Sequence, residues 1–207
     1  AVTDKCPFFY FSDVVVGETT CDGKKKMYEY MSDFKNVYIM ELPNTQNEAA
    51  QKLWKSEIIR FKEYLEEHFE TTITDEAVKE AIKEENAVRT ALKNLYGVMK
   101  YDPAPIKGYD LWKVLYGSGF KFDRKAIPAE INALVDKIEK EYAEGKMEEK
   151  KPRILITGCP IGGAPEKVIR AIEDNGGIVV AYENCSGAKS TAELVDEENP
   201  DVYDAIA

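Results

Sequence analysis

The run Arg153-Ile154-Leu155-Ile156-Thr157 is short, apolar and rich in β-branched side chains, and it predicts a β-strand. A glycine-rich turn at residues 158–163 follows it, then a helix over Pro165–Asp174 and a second apolar strand over residues 178–182. Strands joined by a helical crossover pair in parallel, with a right-handed connection. This end of the chain therefore predicts an α/β fold built on a βαβ unit.

The amino-terminal end repeats this order of elements. Residues 13–17 and 37–42 are apolar runs that predict two β-strands, and a helix is expected between them from Asp22 to about Met31. Cys21 lies where the first strand leads into that helix. The two ends of the chain thus share one architecture, although no short sequence repeat is visible.

The middle of the chain is different, because its apolar residues recur at intervals of three and four from residue 44 to about residue 142. This period predicts amphipathic helices. Two long helices are expected up to residue 99, followed by shorter ones at residues 109–116 and 127–142. The charged run at residues 144–152 predicts an exposed connector.

Composition limits the function classes. The chain has 207 residues, 44% of them hydrophobic, which is typical of a folded globular protein. Its net charge of −10 disfavours binding to nucleic acid or to an anionic membrane. No apolar run approaches the roughly 20 residues that a membrane span requires. With no targeting pattern at the amino terminus, we expect a reducing cytoplasmic location.

Cysteine is the residue type that points to chemistry, since the chain has a single histidine, His68. The four cysteines lie at or near the ends of predicted strands, where open α/β sheets bind ligands: Cys6, Cys21, Cys159 and Cys185. Neither Cys6 with Cys21 nor Cys159 with Cys185 has the CxxC spacing of zinc ribbons or thioredoxin-like sites. Thiolates without histidine favour an iron–sulfur cluster over zinc in a discontinuous metal site. The alternative for each cysteine is a buried apolar side chain.

Two other features have competing interpretations. The turn at residues 158–163 resembles a phosphate-binding loop with Glu183 as the ribose-binding acid, but its glycine spacing departs from GxGxxG and Pro160 removes a backbone N–H donor. The run Lys24-Lys25-Lys26 is either a solvated helix face or a surface for an anionic group, such as a cluster, an acyl-CoA phosphate or a docking partner.

Three motifs together are more specific than composition. They are VGETTCDGKKKMYE at residues 16–29, ITGCPIGG at residues 156–163 and YENCSGAK at residues 182–189. As a set they resemble the 2-hydroxyacyl-CoA dehydratase and benzoyl-CoA reductase family, and most closely its double-cubane cluster branch. The resemblance covers essentially the whole chain.

The resemblance implies two Rossmann-like parallel-sheet domains flanking a helical middle segment, with an oxygen-sensitive iron–sulfur centre in the cleft. Residues 1–43 would be part of the amino-terminal domain, residues 44–151 the helical segment and connector, and residues 152–207 the first half of the carboxyl-terminal domain. Because family members are considerably longer, the chain is expected to be an incomplete version of a two-domain protein.

The resemblance also implies the ligands. The motif match makes Cys21 a cluster ligand, with Cys6, Cys159 and Cys185 as further candidate ligands of the double-cubane kind. The cofactor would be a 4Fe–4S cluster or a double-cubane 8Fe–9S cluster. A double cubane takes more ligands than four cysteines supply, so the chain is expected to hold a subset.

The function implied is an iron–sulfur reductase component that accepts low-potential electrons from an ATP-dependent activator protein and reduces a small or CoA-linked substrate. The alternative is a classical (R)-2-hydroxyacyl-CoA dehydratase subunit, a lyase in which a ketyl radical expels hydroxide to give the enoyl-CoA. A homodimer or a heterodimer of homologous subunits is expected in both cases. A non-catalytic electron-transfer or scaffold subunit and a nucleotide-binding domain remain as further alternatives.

Overall fold

The computed structural model describes residues 6–158, 165–184 and 187–207. The β-strands are β1 (Val15–Glu18), β2 (Val37–Met40), β3 (Arg153–Gly158) and β4 (Ile178–Asn184). The α-helices are α1 (Pro7–Phe11), α2 (Asp22–Ser32), α3 (Glu48–His68), α4 (Asp75–Val98), α5 (Gly108–Ser118), α6 (Ile127–Ala143), α7 (Pro165–Asp174) and α8 (Val202–Ile206). Short 3-10 turns occupy Arg124–Ala126 and Ala188–Thr191. Within these described ranges, no helix combines the length and the apolar character that a membrane span requires.

The strands form two parallel pairs, which confirms the α/β prediction. β1 pairs with β2 from Val15↔Val37 to Glu18↔Met40, and α2 connects the two strands. β3 pairs with β4 up to the partners Gly158↔Asn184, and α7 connects them. Each end of the chain is therefore a βαβ unit, as the order of apolar runs predicts.

Strand β2 ends two residues earlier than predicted. The two backbone N–H groups that follow Met40 bind side chains, since Glu41 N–H donates to Glu57 Oε2 (2.9 Å) and Leu42 N–H donates to Thr19 Oγ1 (2.8 Å). These groups are satisfied without a neighbouring strand. A side-chain contact made 16 or 23 residues away along the chain is not visible in a local apolar pattern.

Helices α1 and α8 are absent from the sequence predictions. Pro7 occupies the start of α1, where its missing N–H costs no helical hydrogen bond. The Asp201 side chain caps α8 by accepting from Tyr203 N–H (3.1 Å) and Asp204 N–H (3.0 Å). Five residues are too few for a helical period to show, so only Pro7 marks α1 and only the Asp201 cap marks α8.

The chain forms two compact units, Ala1–Val78 with Asp196–Ala207, and Lys79–Val195. The three-segment division that the sequence and the resemblance suggest stays a prediction. In the first unit α2 and α3 lie on opposite faces of the β1–β2 sheet. Tyr28 of α2 covers Gly17, whereas the ring of Tyr38 on the other face lies 4.4 Å from the ring of Tyr64 of α3, centroid to centroid.

The core of the second unit joins the helical middle to the second βαβ unit. Its largest fully buried side chains come from four helices and a strand, with one more in the turn after α4: Leu95 and Val98 of α4, Met99 after it, Leu111 of α5, Ile127 of α6, Ile169 of α7 and Val179 of β4. Apolar side chains that the sequence places on one face of each helix thus form one core with buried side chains of β4 and partly buried ones of β3.

Helix α5 approaches strand β4 so closely that no side chain fits between them. A Cβ atom on Gly108 would lie 2.0 Å from the backbone oxygen of Val179. Glu173 Oε1 accepts from Gly108 N–H (2.7 Å) and from Val179 N–H (3.3 Å), and the buried Tyr182 hydroxyl donates to Gly108 C=O (2.8 Å). The amino end of α5 is therefore joined to β4, directly through Tyr182 and indirectly through Glu173, by hydrogen bonds that need this close approach of helix and strand.

Gly108→Ala should destabilise the protein by about 2 kcal/mol or more, because the added methyl overlaps a backbone atom that has no rotamer to change. Gly117→Ala is the matched control in the same helix, since a Cβ there meets nothing within 4 Å. The control should be neutral or more stable by up to about 1 kcal/mol from helix propensity. Urea unfolding followed by circular dichroism measures both variants. Equal midpoints for the two would contradict the close-packing argument.

Candidate functional site

Two register partners stand at the carboxyl edge of the β3–β4 sheet. Gly158 and Asn184 are the last pair, and Gly158 has a φ of 99°, a left-handed conformation that favours glycine. The preceding pair is Thr157 and Glu183, and the Thr157 hydroxyl donates to Glu183 Oε2. The two strands therefore end level with each other and are joined by a side-chain hydrogen bond.

A register shift produces this alignment. Ile154 pairs with Val179, but Leu155 pairs with Ala181, so β4 contributes one extra residue at this point. Without the extra residue, Thr157 would stand opposite Tyr182 instead of Glu183. The irregularity thus sets which side chains meet at the carboxyl edge.

The carboxylate of Glu183 also binds the turn that follows β4. Lys189 Nζ, in the 3-10 turn Ala188–Thr191, lies 2.6 Å from Glu183 Oε1. The hydrogen bond from Lys189 and then that from Thr157 hold the pKa of Glu183 below its usual range. Glu183 is therefore an anion that connects two strands and a turn. We call Thr157, Glu183 and Lys189 the edge network.

The backbone of the turn after β4 comes equally close to that strand. A Cβ atom on Gly187 would lie 2.0 Å from Tyr182 O, so this position also excludes a side chain. Tyr182 is buried, and burial, followed by the nearby Glu173 carboxylate, raises the pKa of its phenol. The phenol keeps its proton and donates a hydrogen bond to Gly108 C=O.

Helix α4 holds the segment after this turn through three polar side chains on one face. The buried Asn86 donates from Nδ2 to Val195 C=O (2.8 Å) and accepts at Oδ1 from Val195 N–H (3.0 Å). Arg89 and Lys93 donate to backbone carbonyls at residues 192–193, over 3.2 and 2.9 Å. An irregular stretch of backbone is thus satisfied by a helix surface in place of a neighbouring strand.

The amino-terminal βαβ unit places Cys21 beyond the carboxyl end of β1. Cys21 is exposed and is the N-cap residue of α2, and its own side chain makes no capping hydrogen bond. Thr19 N–H donates to Met40 C=O (3.1 Å), which holds the loop to the end of β2. The thiol therefore lies beside a helix start whose backbone N–H groups, among the described residues, donate no capping hydrogen bond to the N-cap side chain.

Cys6 lies at the start of α1 and is also exposed. The Phe9 ring of α1 lies 5.7 Å from the Phe34 ring, which precedes the amino end of β2. Cys6 and Cys21 are free thiols. Cys159 and Cys185 lie outside the described residues. Among the residues that the structure describes, no group of three or more His, Cys, Asp and Glu side chains is arranged to hold a metal ion.

The three consecutive lysines of α2 contact residues of their own helix. Lys24 Nζ lies 5.7 Å from the centroid of the Tyr28 ring. Lys25 is paired with Asp22 (3.6 Å) and Lys26 with Glu29 (2.6 Å). These contacts are typical of a solvated helix face.

The sequence predictions missed the roles of Thr157 and Lys189, and considered Glu183 only as a ribose-binding acid. The structure engages Glu183 at the sheet edge instead, with Thr157 and Lys189. One signal was available, since Thr157 and Glu183 each stand two residues before a cysteine.

Comparison with known proteins identifies the family. The model of the 2-hydroxyglutaryl-CoA dehydratase D-component family matches residues 1–207. The chain belongs to this family. It is 53% identical over 206 residues to the putative dehydratase subunit YjiM of Escherichia coli strain K12. That match covers 99% of this chain and 54% of YjiM, so the chain spans about half the length of this curated relative. The family resemblance of the three motifs is confirmed.

Asn86→Ala should lower the free energy of unfolding by about 1–2 kcal/mol, because Val195 loses both backbone hydrogen bonds. Asn94→Ala is the matched control on the same helix, where an exposed Asn94 makes a longer bond of 3.3 Å to Asn132. The control should stay within about 0.5 kcal/mol of the original protein. Hydrogen exchange at residues 192–195 locates the effect. If Asn86→Ala leaves this exchange unchanged, the α4 contact does not hold the segment.

Gly17→Ala should destabilise the first unit by about 1–3 kcal/mol, because the new Cβ would lie 2.6 to 2.8 Å from three atoms of the Tyr28 ring. The ring must turn away and uncover β1. Gly23→Ala, in α2 itself, meets nothing within 4 Å and should be neutral or stabilising. Thermal unfolding of both variants checks this. A Gly17→Ala protein as stable as the Gly23→Ala protein would refute the packing of α2 on β1.

Proposed function

We propose that the protein is an iron–sulfur component of an enzyme of the dehydratase family, and that it receives low-potential electrons from an ATP-dependent activator protein. Family membership over the whole chain carries this proposal. The proposed cluster ligands are Cys6, Cys21, Cys159 and Cys185. When bound, the cluster supplies one-electron transfer at low potential.

The donor chemistry of the described residues fits such a group. Cys21 is exposed and free, and it lies at the uncapped start of α2, where backbone N–H groups are available to anionic sulfur. Gly158 and Asn184, which precede Cys159 and Cys185 in the sequence, are register partners at one strand edge. Free exposed thiols at Cys6 and Cys21 also suit the cytoplasmic location that the sequence predicts.

The residues around these thiols have two tasks in the proposed reaction. The amino end of α2 donates N–H groups to negative charge. Gly158 keeps the end of β3 free of bulk, and Gly187 lets the turn after β4 pack closely against Tyr182 O. The βαβ units support the Rossmann-like domains that the family resemblance implies, and a second copy or a homologous subunit is the proposed assembly partner.

Two reaction types follow from different observations. YjiM is named a putative dehydratase subunit, which favours the dehydration of a 2-hydroxyacyl-CoA to the enoyl-CoA. The full set of four cysteines, three of them within the three motifs, favours the double-cubane type, which would reduce a small or CoA-linked substrate. Both types use the same electron donor, so substrate and cluster type distinguish them.

The iron and acid-labile sulfide content of the full-length protein, reconstituted anaerobically, tests the proposal. About four irons per chain indicate one 4Fe–4S cluster, and about eight indicate a double cubane. Replacing Cys21, Cys159, Cys185 or Cys6 singly by serine should lower this content, because each change removes a thiolate ligand. Asp22→Ser is the matched control, since Asp22 is adjacent to Cys21, exposed and no candidate ligand.

An iron-free protein after reconstitution would overturn the metal proposal, and full iron in all four variants would overturn the ligand assignment. With activator and ATP, turnover of a 2-hydroxyacyl-CoA identifies the dehydratase. Turnover of acetylene identifies the reductase.

A further inference from the structure

A groove with apolar walls lies between α4, the end of α5 and the turn Ala188–Thr191. Its volume is about 360 Å³, which is within the usual range of small-molecule sites. Its described lining residues all belong to the second unit, and none of them is part of the edge network. We call it the α4–α5 groove, and its apolar side chains are those of Val88, Leu92, Leu115, Tyr116 and Phe120.

The floor of the α4–α5 groove belongs to the core, whereas one wall is half exposed. Val88 and Leu92 of α4 are buried, and Leu115 is partly buried against the same core. Tyr116 and Phe120 remain 49% and 48% exposed, with ring centroids 4.9 Å apart. Because burying apolar surface is favourable, a ligand with an apolar body would gain free energy by covering both rings.

The exposed rings are held in place by their neighbours on α5. The rings of Tyr109, Trp112 and Tyr116 stack along the helix, with successive centroids 5.9 and 5.1 Å apart. Phe120 meets the Tyr116 ring edge to face. A wall of mutually packed rings loses little conformational freedom when a ligand binds, so it provides a preorganised apolar surface.

Arg89 of α4 gives the α4–α5 groove its charge. The side chain is partly buried, and Nη1 donates to Glu193 C=O (3.2 Å). Within the described ranges, this is its one hydrogen bond, and no carboxylate pairs with it. Most of the N–H donors of this guanidinium are therefore available to an anion.

The second cation of the groove is neutralised by a neighbour. Arg124 donates from Nε to Glu85 Oε1 (2.8 Å) and from Nη2 to Glu85 Oε2 (2.7 Å). Both carboxylate oxygens are thus occupied, and the pair carries no net charge. Among the described lining residues, Arg89 is therefore the one charge without a counter-ion, so the groove favours a ligand of negative charge.

We propose that the α4–α5 groove binds a small organic acid, in which a carboxylate is attached to an apolar or aromatic body. The carboxylate pairs with the guanidinium of Arg89, whose planar fork of N–H groups matches two carboxylate oxygens. The body lies over Leu92 and against the rings of Tyr116 and Phe120. This site goes beyond the proposed electron-transfer function, since no lining residue is a candidate cluster ligand.

Saturation-transfer NMR of the full-length protein tests the proposal with phenylacetate as the probe. Phenylacetamide has the same aromatic body without the charge, and acetate has the charge without the body. Phenylacetate should bind with a dissociation constant of about 1 mM, as expected for a ligand of this size. The other two compounds should bind about tenfold more weakly or less, because each lacks one of the two interactions.

Arg89→Gln removes the charge and should weaken phenylacetate binding by about tenfold or more, with phenylacetamide binding unchanged. Lys93→Gln is the matched control. Lys93 lies on the same helix and donates to Ala192 C=O (2.9 Å), next to the residue that Arg89 contacts, but it does not line the groove. The control should keep the affinity of the parent protein for phenylacetate.

Tyr116→Ala removes part of the aromatic wall and should weaken the binding of both phenyl compounds by about threefold or more. Tyr101→Ala is the matched control, since Tyr101 is 40% exposed and stacks on Tyr142 in the same unit, outside the groove. This control should bind both compounds like the parent protein.

Equal affinity of the parent protein for phenylacetate and phenylacetamide would overturn the proposal, and so would phenylacetate that shows no saturable binding. An equal loss of affinity in Arg89→Gln and Lys93→Gln would also overturn it, because the effect would then come from the loosened segment. The comparison of the acid with its amide needs no variant, so it decides the proposal even if a variant fails to fold.

Discussion

The contact between Gly108 and the backbone of Val179 is the constraint on which the second unit depends. This close approach lets Glu173 accept from the backbone N–H groups of Gly108 and Val179, and it lets the Tyr182 hydroxyl donate to Gly108 C=O. These bonds bind α5, α7 and β4 to one another at a point inside the core, where an unsatisfied polar group is costly. The strand that carries Glu183 is held in place by this contact.

The same principle recurs where the candidate site is built. Gly187 lies against Tyr182 O, and Gly17 lies under the Tyr28 ring next to the strand end that leads to Cys21. At each point a missing side chain allows two elements to approach closely. Polar side chains then complete the site, because a close backbone approach leaves N–H and C=O groups that need partners.

Much of the fold was predictable from local pattern. The apolar runs of β3 and β4 and the three-to-four period of α3 to α6 predict these elements close to their observed bounds. The five-residue helix α1, the early end of β2 and the side-chain bonds of Asn86 were not predictable in this way. The helix α1 depends on Pro7 at its start, whereas the end of β2 and the bonds of Asn86 depend on partners distant along the chain. Such contacts leave no periodic signal in the sequence.

The sequence by itself determined the residue chemistry of the candidate site: four cysteines, three of them in the three motifs and two of them directly after the strands of one βαβ unit. Family membership follows from the same residues. Only the tertiary structure decided which polar side chains meet at the strand edge. The register shift between Ile154 and Leu155 brings Thr157 opposite Glu183, and the turn after β4 brings Lys189 to the same carboxylate. A one-residue shift in strand pairing changes every partner beyond it, and pairing is settled by packing across the whole unit.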